Sequence, residues 1–294
     1  MKSGIDYKAV IQRVFRNIFK KHLPLAAAGM AYYFLMALFP ALVVLTAVVA
    51  YLPLKDGMQA ATAFLTNLVP PPGVEVIDSL LSAISPHRTS LLSVGLLTTV
   101  WLASLGFKGV IWGLDMVYDD QAPRPLWLSR VLAFGLTFAV GLLMLLGVFL
   151  TVVGPVLTRL VSRFVPVPEF WSRVWPYIQW SLSAILLFVA IELLYLLVPR
   201  VPASRRVTLP GALFAAVGWL VLSWGLGVYL KYFGELKSDN VYGLLATPIA
   251  FMGWMYWCAG AILVGAEINS SLQHYRSLVP SDIEERLPPY REAA

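Results

Sequence analysis

The chain has 294 residues, of which 59% are hydrophobic and 13% are charged, and its mean hydropathy is +0.75. A soluble globular protein carries roughly 25% charged residues, so this composition excludes an ordinary water-soluble body. The formal net charge of +6 could indicate a nucleic-acid partner, but the basic residues flank apolar runs and form no long basic face. We therefore expect them to interact with a membrane surface and not with nucleic acid.

Long uncharged segments divide the chain into membrane spans. A bilayer core roughly 30 Å thick is crossed by about 20 apolar helical residues, and several runs here are longer. The short alternating segments of a membrane β-barrel are not the pattern seen. The predicted fold is therefore all-α, a polytopic membrane protein with about six transmembrane helices. The predicted spans are 25–52, 91–117, 131–158, 176–198, 207–231 and 243–268.

Three regions follow from this division. Residues 1–24 precede the spans, residues 25–275 hold them, and residues 276–294 form a polar, proline-containing tail that we expect to be disordered. Within residues 5–22, apolar side chains recur at helical spacing among lysines and arginines, which predicts a basic amphipathic helix. This helix either lies on the inner leaflet or packs under the bundle, and the sequence leaves both alternatives open.

The long connection at 53–90 predicts short helices, and the prolines within the spans predict kinks or breaks. The stretches "MQAATAFLTNLV" and "VEVIDSLLSAI" predict two short helices on the periplasmic face. Pro40 is expected to kink the first span, because proline lacks the N–H of the helical hydrogen bond. Later prolines mark either ordinary kinks, which we favour, or breaks that free backbone groups for a ligand. Their positions are Gly154-Pro155, Pro210-Gly211 and Pro248.

Lysine and arginine are unevenly distributed between the two sides of the predicted bundle. Fourteen of them lie on the side of the two termini and seven on the other. Because these residues accumulate in short cytoplasmic loops, both termini are predicted to be cytoplasmic.

The sequence offers little of the chemistry used by hydrolases and metalloproteins. Cys258 is the single cysteine, and the three histidines fall in separate segments. Paired-histidine metal motifs, the nucleophile elbow and the phosphate-binding loop are all missing. We therefore expect no catalytic residues, no metal site and no cofactor.

Ionisable residues within the spans carry the functional signal, since charge at bilayer depth is costly and usually faces protein or water. Lys108 and Asp115 are seven residues apart and share one helix face. Gly109 and Gly113 lie beside them and should let a neighbouring helix approach closely.

The predicted orientation brings these charges to one depth. Lys108, Asp115, Glu192 and Glu267 all fall in the cytoplasmic half of their spans. We expect a hydrated polar site that opens to the cytoplasm, in which Glu192 or Glu267 neutralises Lys108. Alternatively, these side chains only extend to the headgroup layer. Further candidates for the polar cavity are Asn269, Tyr32, Tyr33, Tyr229 and Tyr242.

Several ordered motifs resemble those of the YihY/BrkB family of bacterial inner-membrane proteins. "AAAGMAYYFLMALFPALVVL" resembles its first span, "VTLPGALFAAVGWLVLSWGLGVYLKYF" its Pro-Gly-Ala span and "VYGLLATPIAFMGWMYWCAGAILVGAEIN" its last span. "LLYLLVPR" and "VWLAS" fit as well, so the likeness covers roughly residues 5–275. One departure is Asp115, where the family often has an asparagine before the tyrosine that ends the second span.

The resemblance implies six helices and residence in the bacterial inner membrane. Some members of the family are linked to serum resistance and others to envelope lipid export. The family has also carried a tRNA-processing ribonuclease name that is regarded as a misassignment. The missing catalytic and metal-binding motifs agree with setting that name aside, and we do not expect an enzyme.

The leading functional expectation is a transporter or flippase-like protein for a lipid or amphipathic envelope component. The headgroup would lie near Lys108 and the acyl chains against Trp254 and Trp257. The alternative is a non-transporting membrane scaffold for envelope assembly. Membrane lipids are the expected partners, and the sequence leaves the oligomeric state open.

Overall fold

A computed structural model describes residues 7–51, 89–118, 125–161, 169–200, 205–233 and 241–277. These residues form helices and short connections, without a strand among them. The predicted periplasmic helices within 53–90 and the predicted disordered tail fall almost wholly outside the described residues. The helices are α1 Tyr7–Lys20, α2 Leu23–Tyr51, α3 Thr89–Val117, α4 Leu126–Val161, α5 Glu169–Leu197, α6 Arg205–Phe233 and α7 Val241–Ser277.

The helices confirm the prediction of an all-α polytopic membrane protein. Each of the six predicted spans corresponds to one of the helices α2 to α7: four lie within their helix, and 25–52 and 176–198 overlap α2 and α5 in all but their last residue. In the described part of the chain, the five helices α3 to α7 are long and apolar enough to cross a membrane, and α2 contributes the shorter apolar stretch Leu23–Ala37. The helices run without interruption through the prolines that could have broken them. These are Pro155, Pro210 and Pro248, and α2 likewise continues through Pro40.

His22 forms the sharp turn between α1 and α2. Its φ of 52° lies in the left-handed region, where histidine is among the enriched non-glycine residues. Its N–H bonds to the Phe19 carbonyl at the end of α1, while its own carbonyl accepts from Leu25 and Ala26 at the start of α2. The turn therefore fixes α1 against one end of the bundle, which we call the α1 end.

The six long helices pack as a ring in chain order. Each of α2 to α6 packs against the next helix, and α7 packs against α2 and closes the ring. The helix α3 also reaches α7, and α1 packs under α7 and α2. One hydrophobic core with members from all six long helices joins them.

Two glycines on α3 allow the close approach predicted for them. A Cβ at Gly109 would lie 2.7 Å from Tyr33 Cδ2, and one at Gly113 would lie 2.7 Å from Met30 Sδ. The α2 side chains thus occupy space that any larger residue on α3 would fill. This is small-residue packing of the kind that brings membrane helices together.

The helix α1 has two different apolar faces. Val10, Val14 and Asn17 are buried against the bundle. Phe15 and Phe19 are 64% and 70% exposed on the other side. The structure therefore shows α1 packing under the bundle, one of the two predicted alternatives, while an apolar row remains open on its outer side.

A buried polar cluster as candidate functional site

Glu267 on α7 is fully buried, yet three side chains donate hydrogen bonds to its carboxylate. Asn17 Nδ2 bonds to Oε1 at 2.6 Å, and Ser271 Oγ bonds to the same oxygen at 3.1 Å. Lys21 Nζ lies 3.1 Å from Oε2 and forms an ion pair with it. A buried carboxylate is tolerated when it is paired and hydrogen-bonded in this way, so Glu267 depends on α1 for its environment.

Lys21 links three helices at the α1 end. Besides Glu267 on α7, its ammonium donates to the Val117 carbonyl at the last residue of α3. The last carbonyls of a helix lack intrahelical partners and carry partial negative charge, so a cation there is favourable. The side chain of Lys21 is 12% exposed, so this charge is largely withdrawn from solvent.

Glu192 on α5 is also buried but has a different environment. Its Oε1 accepts a hydrogen bond from the Thr208 hydroxyl in the first turn of α6. Its Oε2 is buried and has no hydrogen-bond partner. Unlike Glu267, Glu192 has no lysine, arginine or histidine within ion-pair distance among the described residues.

Asn269 on α7 is held in one orientation by the backbone of α6. The Gly211 N–H donates to Asn269 Oδ1 at 2.8 Å, so the amide Nδ2 must point the other way. The helices α6 and α7 cross so closely here that a Cβ at Gly265 would lie 2.5 Å from the Gly211 carbonyl oxygen, and also 2.6 Å from the Tyr195 hydroxyl of α5. Tyr195 in turn donates to the Ile262 carbonyl at 2.6 Å, which ties α5 to this crossing.

Tyr118 follows the last residue of α3 and turns its hydroxyl into the same region. Burial raises the pKa of Tyr118 well above the ordinary tyrosine value, a hydrogen bond with the Asn269 side chain lowers it in part, and the charges of Glu267 and Glu192 raise it further. The phenol therefore remains protonated at neutral pH and is able to donate.

Nine side chains from α1, α5, α6, α7 and the end of α3 make up this region, which we call the buried polar cluster. They are Asn17, Lys21, Tyr118, Glu192, Tyr195, Thr208, Glu267, Asn269 and Ser271.

The family profile described as Virulence factor BrkB matches residues 14–287. The match therefore takes in every member of the buried polar cluster. The chain belongs to the BrkB family. This confirms the resemblance seen in the sequence, and several relatives are described as membrane proteins.

Three relatives illustrate the membership. The putative ribonuclease-like protein YfkH of Bacillus subtilis is 30% identical over 257 residues, which cover 87% of this chain and 92% of that protein. A UPF0761 membrane protein of Stenotrophomonas maltophilia is 28% identical over 90% of this chain, which spans only 60% of that longer protein. A UPF0761 membrane protein of Pseudoalteromonas translucida is 27% identical, covering 88% of this chain and 82% of its own length. No solved structure matches.

The structure of this BrkB-family chain brings three of the predicted site residues together. Glu192, Glu267 and Asn269 are all buried at the α1 end. Asp115 is half-buried on α3. The structure thus places both glutamates at the same end of the bundle.

The predicted partner of the glutamates was wrong. Lys108 is exposed and forms no ion pair with any described residue, and the cation at Glu267 is Lys21. Lys108 lies on the face of α3 that also carries Trp101 and Trp112, which are 49% and 47% exposed. The inward side of α3, which packs most closely against α2, is instead the side of Gly109 and Gly113.

The predicted tyrosines do not join the cluster. Tyr32 and Tyr229 are exposed at 57% and 37%. Tyr33 is half-buried and packs against Gly109. The side chain of Tyr242 lies outside the described residues.

Sequence reasoning missed two members of the cluster, one in α1 and one directly after its last residue. Asn17 and Lys21 continue the spacing of Val10 and Val14 along one side of the amphipathic helix. An asparagine on an otherwise apolar buried stripe was the signal available. Within the described residues, no group of three histidine, cysteine, aspartate or glutamate side chains could hold a metal ion, and Cys258 is a buried free thiol.

Proposed function

We propose that this protein transports a lipid or another amphipathic envelope component, with the polar end of the substrate entering the buried polar cluster. The observation that carries the proposal is the burial of Glu192, Glu267 and Asn269 at one end of a membrane bundle. Ionisable residues inside membrane helices are costly, and they commonly mark substrate or ion pathways. The proposal assigns no catalytic residue.

The position of α1 supports a route into the cluster. Lys21 and Asn17 cover Glu267 from outside the spans, so a headgroup would reach this carboxylate only after these contacts break. With both termini in the cytoplasm, as the distribution of lysine and arginine predicts, the α1 end faces the cytoplasm. A headgroup from the inner leaflet would then enter beside α1.

The outer surface of the bundle suits the apolar part of such a substrate. Trp224 and Trp257 are 72% and 62% exposed on α6 and α7, the two helices that meet at Asn269. Trp254, also expected to contact the acyl chains, is half-buried against Trp219. An amphipathic molecule could keep its chains on this surface while its headgroup occupies the cluster.

A lipid translocation assay tests this function. Purified protein is reconstituted in vesicles that contain a trace of fluorescent phospholipid, and a membrane-impermeant reductant is added outside. Transport exposes inner-leaflet probe to the reductant, so more fluorescence is lost than in protein-free vesicles. Identical traces with and without protein, across phospholipids of different headgroup charge, would overturn the proposal.

A scaffold for envelope assembly is the second candidate. The observation that favours it is the complete set of donors around Glu267, because fully satisfied buried networks also serve to rigidify a fold. A scaffold predicts that partner proteins co-purify with the membrane-extracted chain. It also predicts that Glu192→Gln, if the variant folds, leaves the cellular phenotype unchanged.

A further inference from the structure

The helix α1 presents three chemically different sides, because successive residues of an α-helix are about 100° apart. One side is buried against the bundle through Val10 and Val14. A second side, about 120° around the helix, is the exposed apolar row. Its members are Ile11, Phe15 and Phe19. The bundle therefore covers only one of the two apolar sides of α1.

The third side of α1 is cationic. Arg13, Arg16 and Lys20 lie within about 60° of one another around the helix, and we call them the basic stripe. Arg16 and Lys20 are exposed, and Arg13 is half-buried. The helix contains no aspartate or glutamate, so no acidic residue of α1 itself neutralises the stripe.

Arg13 indicates what the basic stripe binds. Its Nε is buried and has no hydrogen-bond partner among the described residues. A guanidinium can only donate, and its planar array of N–H groups matches the oxygens of a phosphate. Since buried polar groups are nearly always satisfied, an orphan donor beside two exposed cations points to an anionic ligand.

The apolar row restricts the class of that ligand. A nucleic acid or an acidic protein segment would suit the basic stripe but would leave Phe15 and Phe19 in water. A second copy of the chain would bring two cationic stripes together. A phospholipid with a net negative headgroup suits both sides, because its phosphate meets the cations and its acyl chains meet the apolar row.

We propose that the apolar row and the basic stripe form a binding site for anionic phospholipid in the leaflet at the α1 end. The phosphate accepts hydrogen bonds from the stripe, and the acyl chains contact Phe15 and Phe19. Asn17 and Lys21 already fix the rotation of α1 through Glu267, so the stripe is preorganised for its ligand. This lipid binds outside the buried polar cluster, and its binding does not depend on the proposed transport function.

Quenching by brominated lipids in nanodiscs measures which lipid lies beside α1. A fluorescent probe is attached at Gln12→Cys in the full-length Cys258→Ala protein, because Gln12 is exposed between the apolar row and the basic stripe. The nanodiscs hold mainly unbrominated phosphatidylcholine, with the same minor share of brominated phosphatidylglycerol or brominated phosphatidylcholine. Phosphatidylglycerol should quench as if enriched about fivefold, the factor that one lysine or arginine contributes at an anionic membrane surface.

Two variants assign the preference to the basic stripe. Arg16→Gln combined with Lys20→Gln should remove it, and the loss of two exposed charges should leave the melting temperature in detergent unchanged. Lys231→Gln is the matched control, because Lys231 is exposed in the last turn of α6, at the opposite end of that helix from Thr208. Added salt should weaken the preference in the wild-type sequence, since exposed charges are screened.

Three results would overturn the proposal. The first is equal quenching by the two lipids without the charge variants, or an undiminished preference with them. The second is negligible quenching by either lipid, which would show that this side of α1 is covered by protein or faces water. The third is loss of the preference on adding inorganic phosphate at constant ionic strength, which would assign the stripe to a soluble anion. Lipid translocation is measured separately by the reductant assay, so the proposed function stands or falls independently.

Discussion

Lys21 and Glu267 are 246 positions apart in the chain, yet their side chains meet at 3.1 Å. The contact joins the end of a short helix outside the spans to a fully buried carboxylate of the bundle. Because Lys21 also holds the end of α3, the N-terminal helix is part of the membrane domain and not a detachable arm. The predicted boundary between residues 1–24 and the membrane domain therefore lies close to the turn at His22. It is not a boundary in packing, because the side chains before it contact the spans.

Replacing Lys21 by methionine should destabilise the protein by about 3–5 kcal/mol, because it leaves the buried Glu267 without its cation. The melting temperature in detergent measures the loss. Lys20→Met is the matched control, since Lys20 is exposed on the same helix and surface changes are usually worth less than about 0.5 kcal/mol. Equal melting temperatures for the two variants would show that the ion pair contributes nothing.

Gly211→Ala should disrupt the crossing of α6 and α7. A Cβ there would overlap the Gly265 carbonyl and the Asn269 side chain, and backbone on both sides leaves little room to adjust. Gly260→Ala meets no atom within 4 Å and is the control. We expect reduced yield of folded protein for the first and wild-type yield for the second, by size-exclusion chromatography of detergent extracts. A well-folded Gly211→Ala protein would contradict the close crossing.

Cys258 should be protected from thiol reagents in the folded protein. Its side chain is 1% exposed in the core, so a maleimide should label it only after denaturation. A Trp257→Cys, Cys258→Ala variant places a thiol at a neighbouring position that is 62% exposed. That thiol faces the acyl chains, so a lipid-soluble maleimide should label it readily. Rapid labelling of Cys258 in native protein would contradict the orientation of α7 that turns this side chain into the core.

The outer side of α1 should enter the membrane. A fluorescent probe on Phe15→Cys, in a Cys258→Ala background, should be quenched by lipids brominated on their acyl chains, because this position is 64% exposed on the apolar row. A probe on Arg16→Cys, about 100° around the helix, should be quenched less. Weak, equal quenching at both positions would mean that α1 stands clear of the bilayer.

Hydropathy predicted the spans because apolar length is what a bilayer selects. The glycines of α3 predicted its contact face, since small residues let helices approach. The side of α3 on which Lys108 lies, exposed or facing the bundle, could not be predicted in the same way. A helix that is apolar nearly all round has no strong polar side, and tryptophans such as Trp101 and Trp112 suit lipid as well as protein.

The two α1 members of the cluster were missed for a different reason. Lys21 lies outside every predicted span. A lysine in such a segment is ordinarily used only to predict which side of the membrane the segment is on. Only the turn at His22 brings it under the bundle. The partner of a buried charge can thus come from a segment that hydropathy assigns to the surface.

Lipid translocation by Glu267→Gln and Lys108→Gln, measured side by side in vesicles with equal amounts of folded protein, tests the central claim most directly. The claim is that the buried polar cluster, and not the exposed face of α3, handles the headgroup. We predict that Glu267→Gln loses most of the translocation while Lys108→Gln keeps it. Loss in Lys108→Gln with full activity in Glu267→Gln would contradict the account.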